Sequence, residues 1–301
     1  MKILVVGHFC NDVIHPADGP EVESYGGIYY AVATLSALLN HNDTIVPVFG
    51  VHKNEHQLLV EHLEKLSNVD TSGIFKFDGP TNTLHVYQRL TSVSIECSRD
   101  IAAPIPYEKI RRHLAVDGIL VNMVSGFDIT LETLDHMRMA IRSHEIPMHF
   151  DYHNLTMGLN DRHERFFRPL PDWRRWAFMI DTVQMNEQEI GSLTSEPLSE
   201  DQIAGHLLTL SVKGLLVTRG ERGVSVYTND RKQVHHTDIP GIGVDPVVDA
   251  TGCGDVFGAA FFANYLKLND LQAAAQVATR VAATRLKLRG SDELHTLSIK
   301  S

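Results

Sequence analysis

Short apolar runs alternate with amphipathic stretches along most of this chain, and this alternation constrains its fold more than any other feature. The runs are rich in β-branched residues and are apolar throughout, as strands are when both faces of a sheet are covered. They lie at residues 3–6, 44–49, 118–124, 148–153, 178–184 and 215–218. Helices are predicted at 29–39, 55–66, 131–143, 200–211 and 273–286. This order predicts an α/β fold with a mainly parallel central sheet flanked by helices.

Two stretches depart from this pattern. Residues 16–25 are polar and lack helical periodicity, and residues 83–97 alternate polar and apolar side chains with a period of two. Half-buried antiparallel strands show that alternation. We interpret both as parts of a small sheet that covers a site at the edge of the core, with lid segments at 13–25 and 80–100, although surface hairpins would give the same pattern. Because the chain shows no internal repeat or linker, we expect residues 1–301 to form a single domain.

Composition and charge narrow the class of protein. The chain of 301 residues is 43% hydrophobic and 21% charged, which is usual for a globular protein. Its net charge of -10 argues against a nucleic-acid partner and against an anionic membrane surface. The cysteines Cys10, Cys97 and Cys253 lie far apart and form no C-x-x-C pair, which favours a reducing cytoplasm. The first apolar run ends at Gly7 and is too short for a signal or membrane segment.

The most informative local motif lies near the C-terminal end, where a short apolar strand leads through a glycine-flanked turn into an apolar helix. Residues 247–255 read Val-Val-Asp-Ala-Thr-Gly-Cys-Gly-Asp. The first N–H groups of a helix lack partners inside it and carry positive potential, so they bind phosphate when glycines allow a close approach. Asp255 would repel phosphate unless it acts as a base on the attacking group. The motif therefore indicates phosphoryl transfer to a hydroxyl group, whereas a shorter match would indicate only a capped turn.

This segment resembles the Asp-Thr-x-Gly-Ala-Gly-Asp signature of the ribokinase-like sugar kinases, the PfkB family. The directly matching residues are Asp249, Thr251, Gly252, Gly254 and Asp255. The resemblance extends over nearly the whole chain and implies a three-layer ribokinase-like fold with a small β-sheet lid. It also implies a kinase that uses ATP and Mg²⁺ to phosphorylate an alcohol group of a small sugar, polyol or nucleoside. Asp255 would be the general base, and the N–H groups of residues 252–254, Cys253 among them, would form an anion hole.

Two N-terminal segments match the family blocks that bind the acceptor. Asp12 follows the first strand, and residues just past the carboxyl end of a strand face the ligand crevice of an open α/β sheet. Gly26 and Gly27 match a Gly-Gly block, although a plain turn before a helix would look the same. Cys10 and Ala31 stand where many sugar-specific relatives have asparagine, which argues against ribose as the acceptor.

Three aromatic residues lie in the same two segments, namely Phe9, Tyr29 and Tyr30. Because successive helical residues point about 100° apart, at most one of the two tyrosines should face the acceptor. The alternative is that both pack against the core or the lid. An aromatic wall would favour a nucleoside, whose base can stack, or a flat cyclitol over free ribose or fructose.

Later segments match the family blocks for the phosphoryl donor. Asn186 and Glu189 match a block that orders water and Mg²⁺, although an asparagine followed by glutamate at this spacing is also a helix cap. Thr218, Gly220 and Gly223 match a block that lies along the nucleotide, and locally they form a turn.

The resemblance also implies a site for a monovalent cation, and one block of the family matches only weakly. In relatives such a cation lies near the segment that contains Asp249 and Thr251 and near the loop at 289–291, so the resemblance implies a K⁺ site there. The Asp-x-Asn-x-Arg block of the family is poorly represented by residues 151–154, and no role is assigned to them.

Other interpretations account for less of the sequence. A Rossmann-type oxidoreductase would use Gly252, Gly254 and Gly258, but it needs a further strand and an acidic residue about 20 positions on, where the chain is predicted to be helical. No Gly-Lys pair occurs, which excludes a P-loop kinase. A family member that senses a ligand or nucleotide without turnover stays as the alternative. The expected partner is a small molecule, and exposed lid edges would favour a homodimer through the lid.

Overall fold

The computed structural model describes residues 1–88, 95–230 and 233–297. Within them the strands are β1 (Lys2–Val6), β2 (Phe9–His15), β3 (Val22–Gly27), β4 (Thr44–His52), β5 (Ile74–Phe77), β6 (Asn82–Tyr87), β7 (Ile95–Arg99), β8 (Gly118–Asn122), β9 (Met148–Asp151), β10 (Met157–Leu159), β11 (Arg165–Phe167), β12 (Thr182–Asn186), β13 (Gly214–Thr218), β14 (Gly223–Asp230) and β15 (Gln233–Pro240). The helices are α1 (Ile28–Leu38), α2 (Lys53–Leu63), α3 (Tyr107–Ile110), α4 (Leu131–Ile141), α5 (Trp173–Ala177), α6 (Glu187–Ser192), α7 (Glu200–Thr209), α8 (Cys253–Leu268) and α9 (Leu271–Arg285).

Nine strands form the central sheet, in the order β15-β14-β13-β12-β9-β8-β1-β4-β5. Neighbouring strands from β5 to β13 run parallel, and β14 and β15 extend the β13 edge in antiparallel fashion. β8 is buried along its whole length and β1 from Ile3 onward, because helices cover the sheet. The predicted α/β class with a mainly parallel sheet is confirmed. The parallel order brings the carboxyl ends of β1, β8, β9, β12 and β13 to one edge, where α/β proteins bind ligands.

A smaller sheet of four strands has the order β3-β2-β6-β7. β2 begins at Phe9, directly after β1, and pairs with β3 on one side and β6 on the other. Asp12 therefore lies within a strand of the small sheet, which corrects the expectation that it lies in a loop after β1. The predicted lid segment 13–25 corresponds to the end of β2, a turn and most of β3. The segment 80–100 contains β6 and β7, and its residues 89–94 lie outside the described part of the chain.

Some elements differ from the sequence prediction. The strand expected at 178–184 begins only at Thr182, because Phe178 is 46% exposed and Met179 has a left-handed φ of 59°. The sequence pattern does not predict β15, which is exposed along most of its length and so lacks the apolar run of a buried strand. β5, β10 and β11 are short and are not predicted either.

Helix starts follow the capping signals in the sequence. Ser199 N–H donates to Gln202 Oε1 at 2.8 Å and Gln202 N–H donates to Ser199 Oγ at 3.2 Å, so a capping box starts α7. A second capping box, of Asn186 and Glu189, starts α6. Among the helices of residues 1–88, 95–230 and 233–297, none has the length and apolar character needed to cross a membrane.

Candidate active site

Two cavities meet at the turn that leads into α8. One, of about 350 Å³, lies between the small sheet and the residues that follow β8 and β9, and we call it the small-sheet cavity. The other, of about 520 Å³, lies between the end of β13, α8 and α9, and we call it the α9 cavity. Ala250 lines both. The turn at 249–254 therefore forms the wall that the two cavities share.

Gly252 sets the shape of this turn. It precedes α8 with a φ of 73°, a left-handed conformation that favours glycine. A Cβ at this position would lie 2.4 Å from a ring carbon of Tyr30. The helix that follows is buried from Asp255 to Tyr265, so its N-terminus is held by the core. The predicted turn and apolar helix are thus present, and they are fixed between the two cavities.

Asp255 lies in the first turn of α8, is 6% exposed and lines the small-sheet cavity. Asn122, the last residue of β8, donates from Nδ2 to Asp255 Oδ1 at 2.5 Å. This bond orients the carboxylate and leaves its second oxygen for the cavity. A carboxylate held in this way can take a proton from a hydroxyl group that binds in the cavity.

The backbone of the turn is positioned from the other side by Gln184. Its Nε2 donates to the carbonyl of Gly254 at 3.0 Å and to Asp151 Oδ2 at 3.2 Å. Cys253 N–H donates to the Ala250 carbonyl at 3.2 Å, so this predicted anion-hole donor already has a long hydrogen bond. A Cβ on Gly254 would meet no atom within 4 Å. Its backbone is therefore open to a ligand in the α9 cavity.

The predicted anion-hole residues are divided between the cavities. Gly252 lines the small-sheet cavity, whereas Cys253 and Gly254 line the α9 cavity. A group bound between the cavities would contact all three residues of the turn.

Asp12 and Gly26 lie on neighbouring strands of the small sheet and fit together. Asp12 is 3% exposed and lines the small-sheet cavity. A Cβ on Gly26 would lie 2.1 Å from the Asp12 carboxylate, so Gly26 provides the space for that carboxylate and does not itself line the cavity. Gly27 does line it and has a φ of 61°.

Two polar groups in the small-sheet cavity have no hydrogen-bond partner among the residues that the structure describes. Asp12 Oδ1 and the Tyr30 hydroxyl are buried and make no hydrogen bond within the described residues. Burial raises the pKa of Asp12 to about 7, and the nearby charge of Asp255 adds to the rise. Because unpartnered buried polar groups are costly, these atoms favour a ligand that brings its own hydroxyl groups.

The structure also shows which aromatic side chain of the two N-terminal segments faces this cavity. Tyr30 lines it. Tyr29 points elsewhere, with its hydroxyl 2.9 Å from His62 Nε2, and Phe9 stacks on Phe49 at 5.6 Å between ring centroids. One tyrosine of the pair therefore lines the small-sheet cavity and the other does not, which agrees with the helical spacing.

Charged residues that the sequence does not single out also line the small-sheet cavity. They are Glu96, Arg99 and Arg165. Arg165 is 5% exposed in its side chain, donates from Nε to Ser98 Oγ at 2.7 Å and lies 4.0 Å from Glu96. The cavity is thus more polar than Cys10 and Ala31 suggest. The only sequence signal for these residues is the period-two alternation at 83–97, and it covers neither arginine.

His153 is another cavity residue that sequence reasoning missed. Burial alone would lower the pKa of its imidazole, but the carboxylates of Asp255, Asp151 and Glu189 raise that pKa overall. Burial also raises the pKa of Glu189 to about 7 and that of Asp151 well above its usual range. Several carboxyl groups therefore lie close together around His153, beside the small-sheet cavity.

Asn186 and Glu189 do not line either cavity. Asn186 N–H donates to Glu189 Oε2 at 2.7 Å, and Glu189 N–H donates to Asn186 Oδ1 at 2.9 Å. The helix-cap interpretation of this pair is thus realised. Asn186 and Glu189 could therefore contact the phosphates of a bound nucleotide only through water.

The acidic residues around His153 fit Mg²⁺. Ligand atoms of Asp151, His153 and Asp255 come within 4.8 Å of one another. Mg²⁺ takes carboxylate and water oxygens, and a divalent charge would offset both the burial and the carboxylate repulsion that raise the pKa of Asp151 and Glu189. Asp151, and Glu189 through water, are the residues that would hold the ion, which leaves the second oxygen of Asp255 for the cavity.

The α9 cavity contains the residues of the predicted nucleotide block. Thr218, Gly220 and Gly223 all line it. Gly223 has a φ of 99°, and a Cβ there would lie 2.1 Å from the Ile239 carbonyl oxygen, so only glycine fits. Apolar side chains form much of the remaining wall: Ile242, Val244, Val247, Phe257, Ala282, Ala283 and Leu286. Such walls suit a flat aromatic base.

The oxygens expected to bind a monovalent cation contact an arginine instead. Arg285, the last residue of α9, donates from Nη2 to Asp249 Oδ2 at 2.9 Å and to the Thr251 carbonyl at 2.7 Å. Burial alone would raise the pKa of Asp249, but hydrogen bonds from Thr251 N–H and from Arg285 lower it overall. The residues present do not fit a monovalent cation, because the guanidinium already binds and neutralises these oxygens.

Part of the chain and nearly its full length are similar in sequence to known kinases. The family described as pfkB family carbohydrate kinase matches residues 157–296. A cytidine kinase of Thermococcus kodakarensis is 25% identical over 300 residues, which cover 96% of this chain and 98% of that kinase.

Solved structures of kinases share the fold. A pyrophosphate-dependent kinase in the ribokinase family superposes with a TM-score of 0.78 at 15% identity, covering 96% of each chain. A sugar kinase from Pyrococcus horikoshii in complex with ATP has a TM-score of 0.71 at 21% identity, covering 97% of this chain and 94% of its own. The ribokinase-like fold is therefore confirmed.

Proposed function

We propose that this chain is a carbohydrate kinase of the PfkB family, whose members transfer phosphate to an alcohol group, and that it phosphorylates a nucleoside with ATP. One observation carries the proposal. Asp255 and the N-terminus of α8 stand where the small-sheet cavity and the α9 cavity meet, with Ala250 in the wall of both. An acceptor in the first cavity and a nucleotide in the second would bring a hydroxyl group and a phosphate together at this turn.

In the proposed reaction the acceptor hydroxyl oxygen attacks the γ-phosphorus, and its proton passes to the Asp255 carboxylate. The new O–P bond forms while the bond from the γ-phosphorus to the β,γ-bridging oxygen breaks, and ADP leaves. Asn122 orients the base in advance through its 2.5 Å hydrogen bond to Asp255 Oδ1. Phosphoryl transfer depends mainly on such positioning and on charge stabilisation.

The turn supplies the charge stabilisation. The N–H groups of Gly252 and Gly254, together with the positive end of α8, would stabilise the negative charge on the group in transfer. Cys253 N–H can join them by exchanging its 3.2 Å bond to Ala250. Asp151, and Glu189 through water, would hold Mg²⁺, which would add to the neutralisation of the phosphates.

The small-sheet cavity supports a nucleoside as the acceptor. Asp12 offers a carboxylate oxygen that has no partner among the described residues to ribose hydroxyls, and Tyr30 lines the same cavity. The similar cytidine kinase supports the same class. Free ribose or fructose has no base to fill the remainder of this cavity of about 350 Å³. A cyclitol has the hydroxyls but no base, so we place it second.

The α9 cavity supports ATP as the donor. Its apolar wall would bury an adenine base, whereas pyrophosphate would leave that wall uncovered. A pyrophosphate-dependent kinase nevertheless shares the fold, so the two donors have to be compared directly.

A coupled ADP-release assay over nucleosides, cyclitols, ribose and fructose tests the proposal, with a phosphate-release assay for pyrophosphate in parallel. We expect the highest kcat/KM with a nucleoside and turnover with ATP only. If ribose or fructose is clearly the best acceptor, the acceptor assignment is wrong and the kinase assignment stands. Calorimetric binding of both ligands without turnover of any acceptor would instead identify a sensor.

The variant Asp255→Asn tests the base. Asparagine is nearly isosteric, so we expect kcat to fall by roughly 10²-fold or more with little change in Tm. Asp270→Asn is a matched control, because Asp270 is an exposed N-cap of α9 and asparagine also caps helices well. Equal turnover by the Asp255 variant and the control would show that another group takes the proton.

A further inference from the structure

Arg285 is a fully buried charge beside the phosphate-binding turn. It is 0% exposed and ends α9. Its Nη2 binds Asp249 Oδ2 and the Thr251 carbonyl, and its Nη1 donates to the Leu288 carbonyl at 2.7 Å and to the Asp249 carbonyl at 3.3 Å. The guanidinium therefore joins three segments: the turn at 249–251, the end of α9 and the loop at 288–290.

Asp249 is the centre of this arrangement. Besides Arg285, it accepts hydrogen bonds from Thr251 N–H at 2.9 Å and from Gly290 N–H at 3.1 Å. The Arg285 guanidinium also lies 5.6 Å from the centroid of the Tyr30 ring, which packs against Gly252. The turn that presents the Gly252 and Gly254 N–H groups is thus fixed through Asp249, and Arg285 neutralises Asp249.

A monovalent cation at this place would need the same oxygens. Such a cation would carry the same single positive charge as the Arg285 guanidinium. It would dissociate on dilution, however, whereas Arg285 is part of the chain. A cation added beside the guanidinium would face a positive charge, and it would compete for oxygens that already accept charge-assisted hydrogen bonds.

We propose that Arg285 is a tethered substitute for a monovalent cation, so that phosphoryl transfer by this chain does not depend on K⁺. Arg285 lines neither cavity, so it is a positioning residue that acts through Asp249 and Thr251. The expected effect of Arg285 on turnover rests on the proposed function. The assignment of Arg285 to the position of a monovalent cation does not rest on it.

Steady-state kinetics of the wild-type protein give the first test. We expect kcat and both KM values to agree within about twofold when K⁺, Na⁺ or tetramethylammonium is the only monovalent cation at equal ionic strength. Activation of about tenfold or more by K⁺ over tetramethylammonium would overturn the proposal and leave the kinase assignment intact.

The variant Arg285→Ala gives the second test. In tetramethylammonium we expect kcat to fall by roughly 10²-fold, the loss typical of a misplaced reacting group. K⁺, or guanidinium ion at millimolar concentration, should restore part of the loss, which a merely structural role would not produce. Arg280→Ala, an exposed arginine of the same helix, should respond to neither ion. A loss that no cation relieves would contradict the proposal.

Thermal denaturation extends the test to protein that shows no turnover. The wild-type Tm should be the same in K⁺ and tetramethylammonium, whereas K⁺ should raise the Tm of Arg285→Ala, or of the uncharged variant Arg285→Gln if the alanine variant does not fold. A selective rise of the wild-type Tm with K⁺ would overturn the inference whether or not the protein is active. If the Tm values shift as expected but the protein shows no kinase activity, the role of Arg285 in place of a cation is supported and the proposed function is wrong.

Discussion

Gly252 and Gly254 flank the same turn, but they lack a side chain for different reasons. Gly252 has a left-handed φ and lies against the Tyr30 ring. Gly254 is inside α8, where a Cβ would meet nothing within 4 Å. The first glycine is therefore required by the fold, whereas the second is required, in our proposal, by the phosphate that approaches it.

Gly254→Ala separates these two reasons. The added methyl group creates no clash and removes a flexible residue from a helix, so the Tm should stay the same or rise. The same methyl group would occupy the path of the phosphate, and kcat/KM for ATP should fall by about tenfold or more. Steady-state kinetics and thermal denaturation measure both effects.

Gly252→Ala is the matched comparison. It should lose stability by about 1–2 kcal/mol from the left-handed backbone alone, with the contact to Tyr30 in addition. Wild-type kinetics in Gly254→Ala would show that the phosphate does not pass this position.

The buried carboxyl group of Asp12 predicts a pH dependence of stability. Its pKa of about 7 in the folded protein lies above the value of about 3.9 expected for the unfolded chain. The folded state therefore binds a proton that the unfolded state has released. The contribution to stability is full below the unfolded pKa and is lost as pH rises through about 7. Asp12→Asn removes this titration.

Urea unfolding measured on either side of that pH range checks the prediction. Relative to wild type, Asp12→Asn should gain stability as pH rises through about 7. The wild-type KM for the acceptor should fall over the same range, because an ionised carboxylate accepts stronger hydrogen bonds from hydroxyl groups. Parallel pH profiles of the two proteins would show that Asp12 does not titrate there.

Residues in one local motif could be predicted from the sequence, and residues brought together by the fold could not. Asp255, Gly252 and Gly254 share a short segment whose chemistry is evident. Asn122 lies 133 positions from Asp255, and nothing near it signals that contact. Arg285 ends an alanine-rich helix, where a basic residue is expected for the helix dipole alone, so its burial against Asp249 is visible only in the structure.

At the scale of elements, burial decided which strands could be predicted. β1, β8 and β13 are buried on both faces and appear in the sequence as apolar runs. β15 is an exposed edge strand and has no such run. β2 follows β1 so closely that its residues look like a loop, and only its pairing with β3 and β6 shows that the chain has entered a second sheet.

The small sheet is expected to close over bound ligands. It contributes Asp12, Glu96 and Arg99 to the small-sheet cavity, and the transfer of phosphate to a hydroxyl group rather than to water requires that solvent be excluded. Hydrogen exchange with acceptor and a non-hydrolysable ATP analogue should show added protection in β2, β3, β6 and β7. Either ligand alone is the control. Protection limited to the central sheet would rule out a lid.

At the scale of the whole molecule, the two edges of the small sheet differ. Near β7, Ser98 N–H donates to the His163 carbonyl at 2.9 Å and Cys97 bridges to Glu164, so the chain itself covers part of that edge. Within the described residues no strand pairs with the outer side of β3. An open edge invites pairing with another strand.

We therefore expect a homodimer that pairs through β3. Light scattering over a range of concentrations should give a mass twice that of the chain. Glu23→Pro, which places a residue without an N–H in this edge strand, should shift the mass towards that of the monomer. A monomer mass for the wild type at every concentration would rule out the dimer.

The small-sheet cavity is assembled from distant stretches of the chain, and this has a consequence for how such a kinase can diversify. In the proposed function, β7 with Glu96 and Arg99 and its neighbour β6 would contact the acceptor, whereas the N-terminus of α8 would contact the phosphate. Mutations in β6 and β7 can therefore accumulate without disturbing the groups that move the phosphate. Acceptor choice can evolve, or be selected in a library confined to those strands, while the catalytic end of the molecule is inherited unchanged.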